Sequence, residues 1–280
     1  MILKVVGAPI DIDIVDIAPW QPYEQVADRF RQGRVFLVGD AAHTMPPFKG
    51  GGANTAIHSA HNLAWKLAAV LKGVAGPALL DTFEAERRPV GLFAARQSLN
   101  RPAASFFEAS EDRPTLPAEE DLPFFYMIAG YKYRSRAVVT NEALPTDPDK
   151  LQLTDGEQLH GEPGTRLPHA WVRRDRERVS TLDLHGGGLL RLITGSDGAP
   201  WVRAAGSVSA SQAVPIDVYR IGPEEAIQDL DGGWAQLTGL SPDAALLVRP
   251  DDFVGWQADA LPRSPTDELL KVIRQILARD

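Results

Sequence analysis

Residues 33–54 read GRVFLVGDAAHTMPPFKGGGAN. An apolar run from Val35 to Val38, bounded by glycine and ending at Asp40, has the pattern of a strand buried on both faces of a parallel sheet. Pro46 and Pro47 then fix φ and remove two N–H donors while leaving their carbonyls free to accept. Gly50, Gly51 and Gly52 allow the backbone to touch a flat ligand with no Cβ in the way. From Asn54 to about Lys72 the period becomes helical, with Ile57, Ala60, Ala64, Leu67 and Leu71 on one stripe and Lys66 and Lys72 off it. Ligands of open α/β sheets bind outside the carboxyl ends of the strands. Asp40 stands at such an end, where it can accept hydrogen bonds from the hydroxyls of a ribose or ribitol chain. The helix start offers the positive end of its dipole to the same place. Together these describe a nucleotide-like cofactor site. Read without a ligand, the same stretch is a tight crossover in which Asp40 caps the helix and the glycines only turn the chain.

Working outward, PIDIDIVDI (9–17) alternates with period two and predicts a half-buried strand. Pro19 and Pro22 bracket a turn, and EQVADRFRQ (24–32) predicts a short helix ending at Gly33. After the long helix, Gly73 and Gly76 supply a stop and Pro77 prevents continuation. A second helix is expected over 77–100, with Glu84 and Arg88 paired at i,i+4 and a break or kink at Pro89. Residues 101–150 carry scattered prolines and the aromatics Phe106, Phe107, Phe124, Phe125 and Tyr126, for which core packing outranks a pocket edge. A domain boundary is placed near residue 140, giving domains 1–140 and 141–280. Short strands are expected at STLDLHG (180–186), LLRLITG (189–195) and VPIDVYRIG (214–222). AALLVRPDDFVGWQ (244–257) predicts a hairpin turning at Pro250, Asp251 and Asp252. The closing TDELLKVIRQILARD predicts an amphipathic helix with Leu269, Ile273 and Ile276 on one side. The fold class is α/β.

Composition narrows the function. The chain has 280 residues, 44% hydrophobic and 24% charged, enough for one large domain or two ordinary ones. A net charge of -8 argues against a nucleic-acid binder. The absence of cysteine excludes disulfides, thiolate metal sites and thiol catalysis, and fits a reducing cytoplasm. No apolar run approaches the roughly 20 residues of a membrane span; the best, LAWKLAAVLKG, is interrupted by Lys66. A cytoplasmic protein is expected.

The stretch GRVFLVGDAAHTMPPFKGGGANTAIHSAHNLAWKLAAVLKG (33–73) resembles the second flavin-binding motif of the class A FAD-dependent aromatic and polyketide hydroxylases, and DTFEAERRPVG continues the match. GYKYRSRAVV, GTRLPHAWV and ALLVRPDDFVGWQ resemble segments of the longer members that act on phenols and aromatic polyketides. The resemblance implies the C-terminal part of a flavin-monooxygenase FAD-binding domain followed, from about residue 141, by a thioredoxin-like α/β domain. It implies FAD as cofactor, NAD(P)H as reductant and an aromatic substrate hydroxylated with O2 through a flavin C4a-hydroperoxide. Asp40 would bind the ribitol, and the backbone of Gly51, Gly52, Ala53 and Asn54 would lie against the isoalloxazine. Pro46 and Pro47 would line the reacting space, Pro47 as the catalytic position through its carbonyl.

Family members begin with a GxGxxG unit for the ADP half of FAD, which these 280 residues do not contain. The glycines at 186–188 and at 195 and 198 lack the spacing and no helix is expected after them. The chain is therefore expected to be inactive, and not to hold FAD tightly, without an N-terminal companion fragment carrying GxGxxG. The alternative is a non-catalytic remnant serving as a structural or oligomerisation module, with a homodimer in view. The thioredoxin-like domain, lacking cysteine, is assigned packing and contact roles. His58 and His61 lack a third metal ligand, and no metal is expected; His61 is placed facing the core. His43 is assigned to hydrogen-bond and shape the loop, and Arg87 and Arg88 to surface ion pairing with Glu84 and Glu86.

Overall fold

In a computed structural model of the chain, residues 7–8, 10–18, 23–99, 120–187 and 189–279 are described. The first described regular elements are two-residue strands: β1 (Gln25–Val26), β2 (Arg31–Gln32), β3 (Val35–Phe36) and β4 (His43–Thr44). β2 and β3 form an antiparallel hairpin about Gly33, whose φ of +60° suits glycine, and β1 pairs antiparallel with β4. Helix α1 runs from Gly51 to Leu71 and ends as expected, with Gly73 at φ +68° and Val74 donating to Ala69 O. Pro77–Leu80 form a 3-10 turn that leads into α2 (Asp81–Leu99). After a one-turn helix, α3 (Phe125–Ile128), β5 (Tyr131–Lys132) pairs with β6 (Gln152–Leu153).

Several expectations for this half are corrected. Residues 10–18 form no strand and expose Ile10, Ile12, Ile14 and Ile17, because no described strand lies beside them to complete a ladder. EQVADRFRQ is not helical; it supplies β1 and β2. RVFLVGD contributes only β3, in a hairpin, with Val35 65% exposed where burial on both faces was expected. Helix α2 passes through Pro89 without a break, with Pro89 on its buried side. Glu84 and Arg88 do not pair: Glu84 accepts from Phe30 N and Arg31 N, and Arg88 reaches Ala27 O and Asp149. Pro19, Pro22, Phe106 and Phe107 lie outside the described residues.

The second half is organised by a seven-stranded sheet. Its strands are β7 (Trp171–Arg174), β8 (Glu177–Ser180), β9 (Leu190–Thr194), β10 (Ile216–Gly222), β11 (Ile227–Asp229), β12 (Ala245–Val248) and β13 (Val254–Ala258), in the order 13-12-9-10-11-7-8. β9 and β10 are parallel, joined by α4 (Ala199–Gln212). β12 lies antiparallel on the other side of β9 and turns into β13 at the expected Pro250–Asp252 turn. A short α5 (Gly233–Thr238) follows β11, and α6 (Pro265–Ile276) closes the chain against α4. A parallel βαβ unit followed by an antiparallel hairpin and a helix is the thioredoxin-like arrangement. STLDLHG proves to be a 3-10 turn, Thr181–Asp183, because Ser180 and Asp183 form a reciprocal capping box. Gly195 and Gly198 are followed by a helix after all. Pro200 in its first turn and Ser207, Ser209 and Ser211 diluted its apolar signal.

Alternation sorts the sheet's two faces. Leu190, Leu192, Ala245 and Leu247 point to one core with Trp201, Val208, Leu269 and Ile273, while Ile193, Leu246, Val248 and Val254 point to another with Val172, Ile221 and Trp234. The first core also takes in Trp65, Ala69, Leu79 and Ala137, so α1 shares a continuous interior with the sheet. Among the described residues no helix is long and apolar enough to cross a membrane.

Candidate functional site

The glycine-rich loop sits at the start of α1 and is fixed from behind. Gly39–Ala41 form a 3-10 turn packed on α1, and Asp40 in it is exposed. Pro46 is buried and Pro47 is exposed at the start of a second 3-10 turn, whose closing bond runs from Gly50 N–H to Pro47 O at 3.0 Å. Gly50 is left-handed at φ +66°, with open space where a Cβ would stand. Gly51 packs so closely that an added Cβ would lie 2.2 Å from Met127 Cε, which presses α3 against the loop. Lys49 Nζ donates to Gln97 Oε1 at 3.1 Å and Leu122 O at 3.0 Å and pairs with Asp121, tying the loop to α2.

Among the described residues no side chain caps the leading N–H groups of α1 and no acid occupies its first turn, so Asp40 is not its cap. Asn54 Nδ2 is engaged with Gly50 O at 3.0 Å. Asp40, Pro47, Gly50, Ala53 and Asn54 are exposed and Gly52 is half-buried, while Pro46 and Gly51 are buried.

Away from the loop α1 departs in part from its expected polarity: Leu67 is half-buried and Lys72 exposed as expected, and Leu63, Trp65 and Ala69 are buried core residues. Ile57 is 65% and Leu71 83% exposed, with Ala60 and Ala64 also open, whereas Thr55, Ser59, Asn62 and Lys66 are buried. The polar face meets α2 and the β12–β13 turn. Arg249 donates from Nη1 and Nη2 to both oxygens of Glu86, at 2.6 and 2.8 Å. Its Nε and Nη2 reach the two oxygens of Asp251 at 3.0 and 2.6 Å. Lys66 Nζ and Asn62 Nδ2 each lie 2.7 Å from Glu86 Oε2, and Ser135 donates to Oε1 at 2.6 Å. Two cations and two carboxylates thus close a neutral cluster. Burial alone would raise the Glu86 pKa, but Arg249 and Lys66 outweigh it and hold Glu86 ionised well below the usual range. Burial brings Lys66 down to about 8 despite Glu86 beside it.

Next to it, Arg87 clamps the start of α1. It donates to Thr55 O at 3.1 Å, Ser59 Oγ at 3.0 Å, and the hydroxyls of Tyr131 and Tyr133 at 3.0 and 2.8 Å. Tyr133 stacks on Phe253 of the β12–β13 hairpin with ring centroids 3.9 Å apart. Glu86 and Arg87 are therefore buried structural groups rather than a surface ion pair. Sequence reading missed this cluster; the lysine between Trp65 and Leu67 and the Arg-Pro-Asp-Asp turn were its visible marks.

The histidines depart from expectation too. His43 is 2% exposed, yet neither ring nitrogen has a hydrogen-bond partner, so it shapes the loop by packing against Phe30 and Gly91. Burial, aided by the Arg87 charge, lowers its pKa to about 4 and keeps it neutral. His61 faces outward, because the buried stripe runs through Ser59, Asn62 and Lys66; with half-buried His58 it lines a cleft beside Tyr133, Arg166 and Asp251. Among the described residues no three His, Cys, Asp or Glu side chains could jointly hold a metal. Phe124 is 41% exposed and Phe125 and Tyr126 are half-buried, so this aromatic cluster flanks the loop and is not core.

A family model described as FAD binding domain matches residues 3–98, and one described as aromatic-ring hydroxylase, C-terminal, matches residues 160–279. The chain is 43% identical over 273 residues to tetracenomycin A2 monooxygenase-dioxygenase of Streptomyces glaucescens, covering 98% of this chain and 46% of the relative. It is 39% identical over 280 residues to 4-methyl-5-nitrocatechol 5-monooxygenase of a Burkholderia species, covering 100% and 50%. The crystal structure of aklavinone-11 hydroxylase with FAD and aklavinone superposes with a TM-score of 0.83 at 36% identity, over 99% of this chain and 51% of that one. The chain thus spans about half the length of the curated relatives it matches. It belongs to the FAD-dependent aromatic and polyketide hydroxylases, the class A flavoprotein monooxygenases, and corresponds to their C-terminal portion, with the GDAAH loop and the thioredoxin-like domain.

Proposed function

We propose that this chain supplies the flavin-ring side of a monooxygenase that hydroxylates an aromatic or polyketide substrate, using FAD, NAD(P)H and O2. One observation carries the reading: an uncapped helix start behind left-handed Gly50, with Asp40 exposed in the 3-10 turn packed on the same helix. These groups fit the cofactor. Asp40 would accept hydrogen bonds from ribitol hydroxyls, and the N–H groups at Gly51, Gly52 and Ala53 would donate to the flavin ring. The positive end of α1 favours negative charge there. Bound flavin supplies electron transfer from NAD(P)H and the activation of O2 for hydroxylation. Pro47, exposed at the start of the turn, would border the reacting face. Its carbonyl accepts from Gly50 N–H, contrary to the free carbonyl expected, and together with Pro46 and Met127 holds the loop's shape.

The adenosine half of the cofactor is assigned to an N-terminal companion carrying GxGxxG, on the same polypeptide or another. The open apolar face of α1, Ile57, Ala60, Ala64 and Leu71, together with Val35, supports this, since such a face needs cover. We assign the division of labour to residues 1–140 for the flavin and substrate and 141–280 for the thioredoxin-like support. The test mixes the purified chain with FAD, alone and with the companion, followed by gel filtration and absorbance. The expected result is no stoichiometric flavin complex for the chain alone, and a yellow complex that oxidises NAD(P)H with the companion. A chain that retains FAD unaided removes the companion from the scheme; a colourless mixture with the companion leaves the non-catalytic module as the reading.

A further inference from the structure

At the β8 edge of the sheet, far from the glycine loop in sequence, the β7–β8 hairpin and α5 enclose a groove of about 890 Å³. That is within the range of small-molecule sites, roughly 300–1,000 Å³. Its lining includes His160, His169, Trp171, Arg173 and Arg178, and among the described residues no carboxylate. In a chain of net charge -8 this is a local concentration of positive and imidazole groups.

The sheet register makes it costly to hold. Arg173 and Arg178 are directly opposite each other on antiparallel strands, so both guanidinium groups leave the same face. Like charges so placed destabilise a sheet. Neither has a carboxylate partner among the described residues: Arg173 reaches only the neutral Gln228 Oε1 at 3.3 Å, and Arg178 lies 4.4 Å over the Trp171 ring. By contrast Arg191, Arg220 and Arg249 of the same sheet region each hold a carboxylate. Trp171 itself is 44% exposed on its strand, with the His169 ring edge-on at 4.8 Å. Ser180 Oγ accepts from Leu182 N–H and lies 2.7 Å from His169 Nδ1, which fixes the imidazole at the edge of the groove.

We propose that this groove binds a flat aromatic anion, with its oxyanion between the guanidinium groups of Arg173 and Arg178 and its ring against Trp171. Guanidinium forks match carboxylate and phosphate oxygens, and they stack on aromatic faces. The anion relieves the repulsion between the two guanidinium groups. This assignment stands independently of the flavin reading. Two sources share the chemistry, an aromatic carboxylate and the adenosine phosphate end of a nucleotide.

The test titrates the full chain with 4-hydroxybenzoate and with adenosine monophosphate, by calorimetry and tryptophan fluorescence, against the neutral 4-hydroxybenzamide and adenosine. One or both anions should saturate at one site, and the matching neutral compound should bind about tenfold more weakly or worse, as the loss of a charge-assisted contact predicts. Arg173→Ala/Arg178→Ala and, separately, Trp171→Leu should each weaken the anion by about tenfold. Arg178→Gln, which removes the repulsion, should bind weakly while melting no lower than the parent. Adenosine monophosphate alone binding identifies a nucleotide; 4-hydroxybenzoate alone identifies an aromatic acid. No saturable binding of either anion, equal binding of the neutral compound, or unaltered binding by the variants overturns the proposal.

Discussion

Arg249 and Glu86 are 163 residues apart in the chain and form a two-pronged ion pair at 2.6 and 2.8 Å with both side chains fully buried. The pair joins the second helix of the flavin-binding part to the hairpin turn of the thioredoxin-like domain. Glu86 also holds Lys66 and Asn62 on α1, whose first turn forms the glycine-rich loop. The thioredoxin-like domain is thereby built into the support of the loop, through charge as well as through the shared apolar core.

Removing one partner from this cluster leaves an uncompensated charge in the interior. Arg249→Met should lower stability by about 3–5 kcal/mol, the range for breaking a buried pair. Glu86→Gln/Arg249→Met should lose less than the sum of its single variants, because the second change removes the stranded charge. Urea unfolding of the three variants checks this; strict additivity would show that the pair is not coupled.

Gly76 gives an independent probe of the same junction. Its N–H donates to Leu277 O at 2.8 Å, and an added Cβ would stand 2.0 Å from Ala278 O. Gly76→Ala should cost about 1–3 kcal/mol as an overpacked contact. Hydrogen exchange should rise at the end of α6. A variant as stable as the parent, with α6 equally protected, would mean that this turn does not bear on the helix.

Acid should act through His43. Its folded pKa of about 4 lies below the ordinary 6.5, so as pH falls the unfolded chain takes up the proton first. Stability from this group is complete above pH 6.5 and is lost between about 6.5 and about 4, with a total on the order of 3 kcal/mol. His43→Leu should flatten the fall in stability over that window, measured by urea unfolding at pH 7 and 4.5. Parallel pH profiles for parent and variant would count against a buried neutral His43.

Asp40 is accessible and caps nothing, so Asp40→Ala should leave the melting temperature of the chain unaltered. In the complex with the companion it should weaken FAD by about tenfold or more, the worth of a hydrogen bond to a charged group. Flavin titration followed by fluorescence decides it; an unaltered affinity would remove Asp40 from the ribitol.

Local rules carried much of this fold into view. The glycine loop, the C-terminal end of α1, the β9 and β10 strands, the Pro250–Asp252 hairpin and the buried Leu269, Ile273 and Ile276 are all set by turn chemistry or by period. The failures share a cause. Lys66 looked solvent-facing because its partners come from residues 86 and 249, and a helical stripe holds no record of distant counter-charges. Ile57 and Leu71 looked like core for the same reason. Val35–Val38 has the composition of a central strand, but strands need neighbours, and among the described residues only β2 pairs with it. Of the site itself, the loop was legible and its scaffolding was not.

The buried Lys66–Glu86–Arg249 cluster ties the completion of α1 to the order in which the protein is made. On the ribosome Lys66 and Glu86 emerge long before Arg249. At about 5–20 residues per second the interval is on the order of ten to thirty seconds. Through that time Lys66 and Glu86, buried in the finished protein, lack the Arg249 guanidinium that balances the acid. The support of the glycine loop is therefore completed only when the β12–β13 turn arrives, and nascent chains stalled before residue 249 should present an unfinished scaffold behind it.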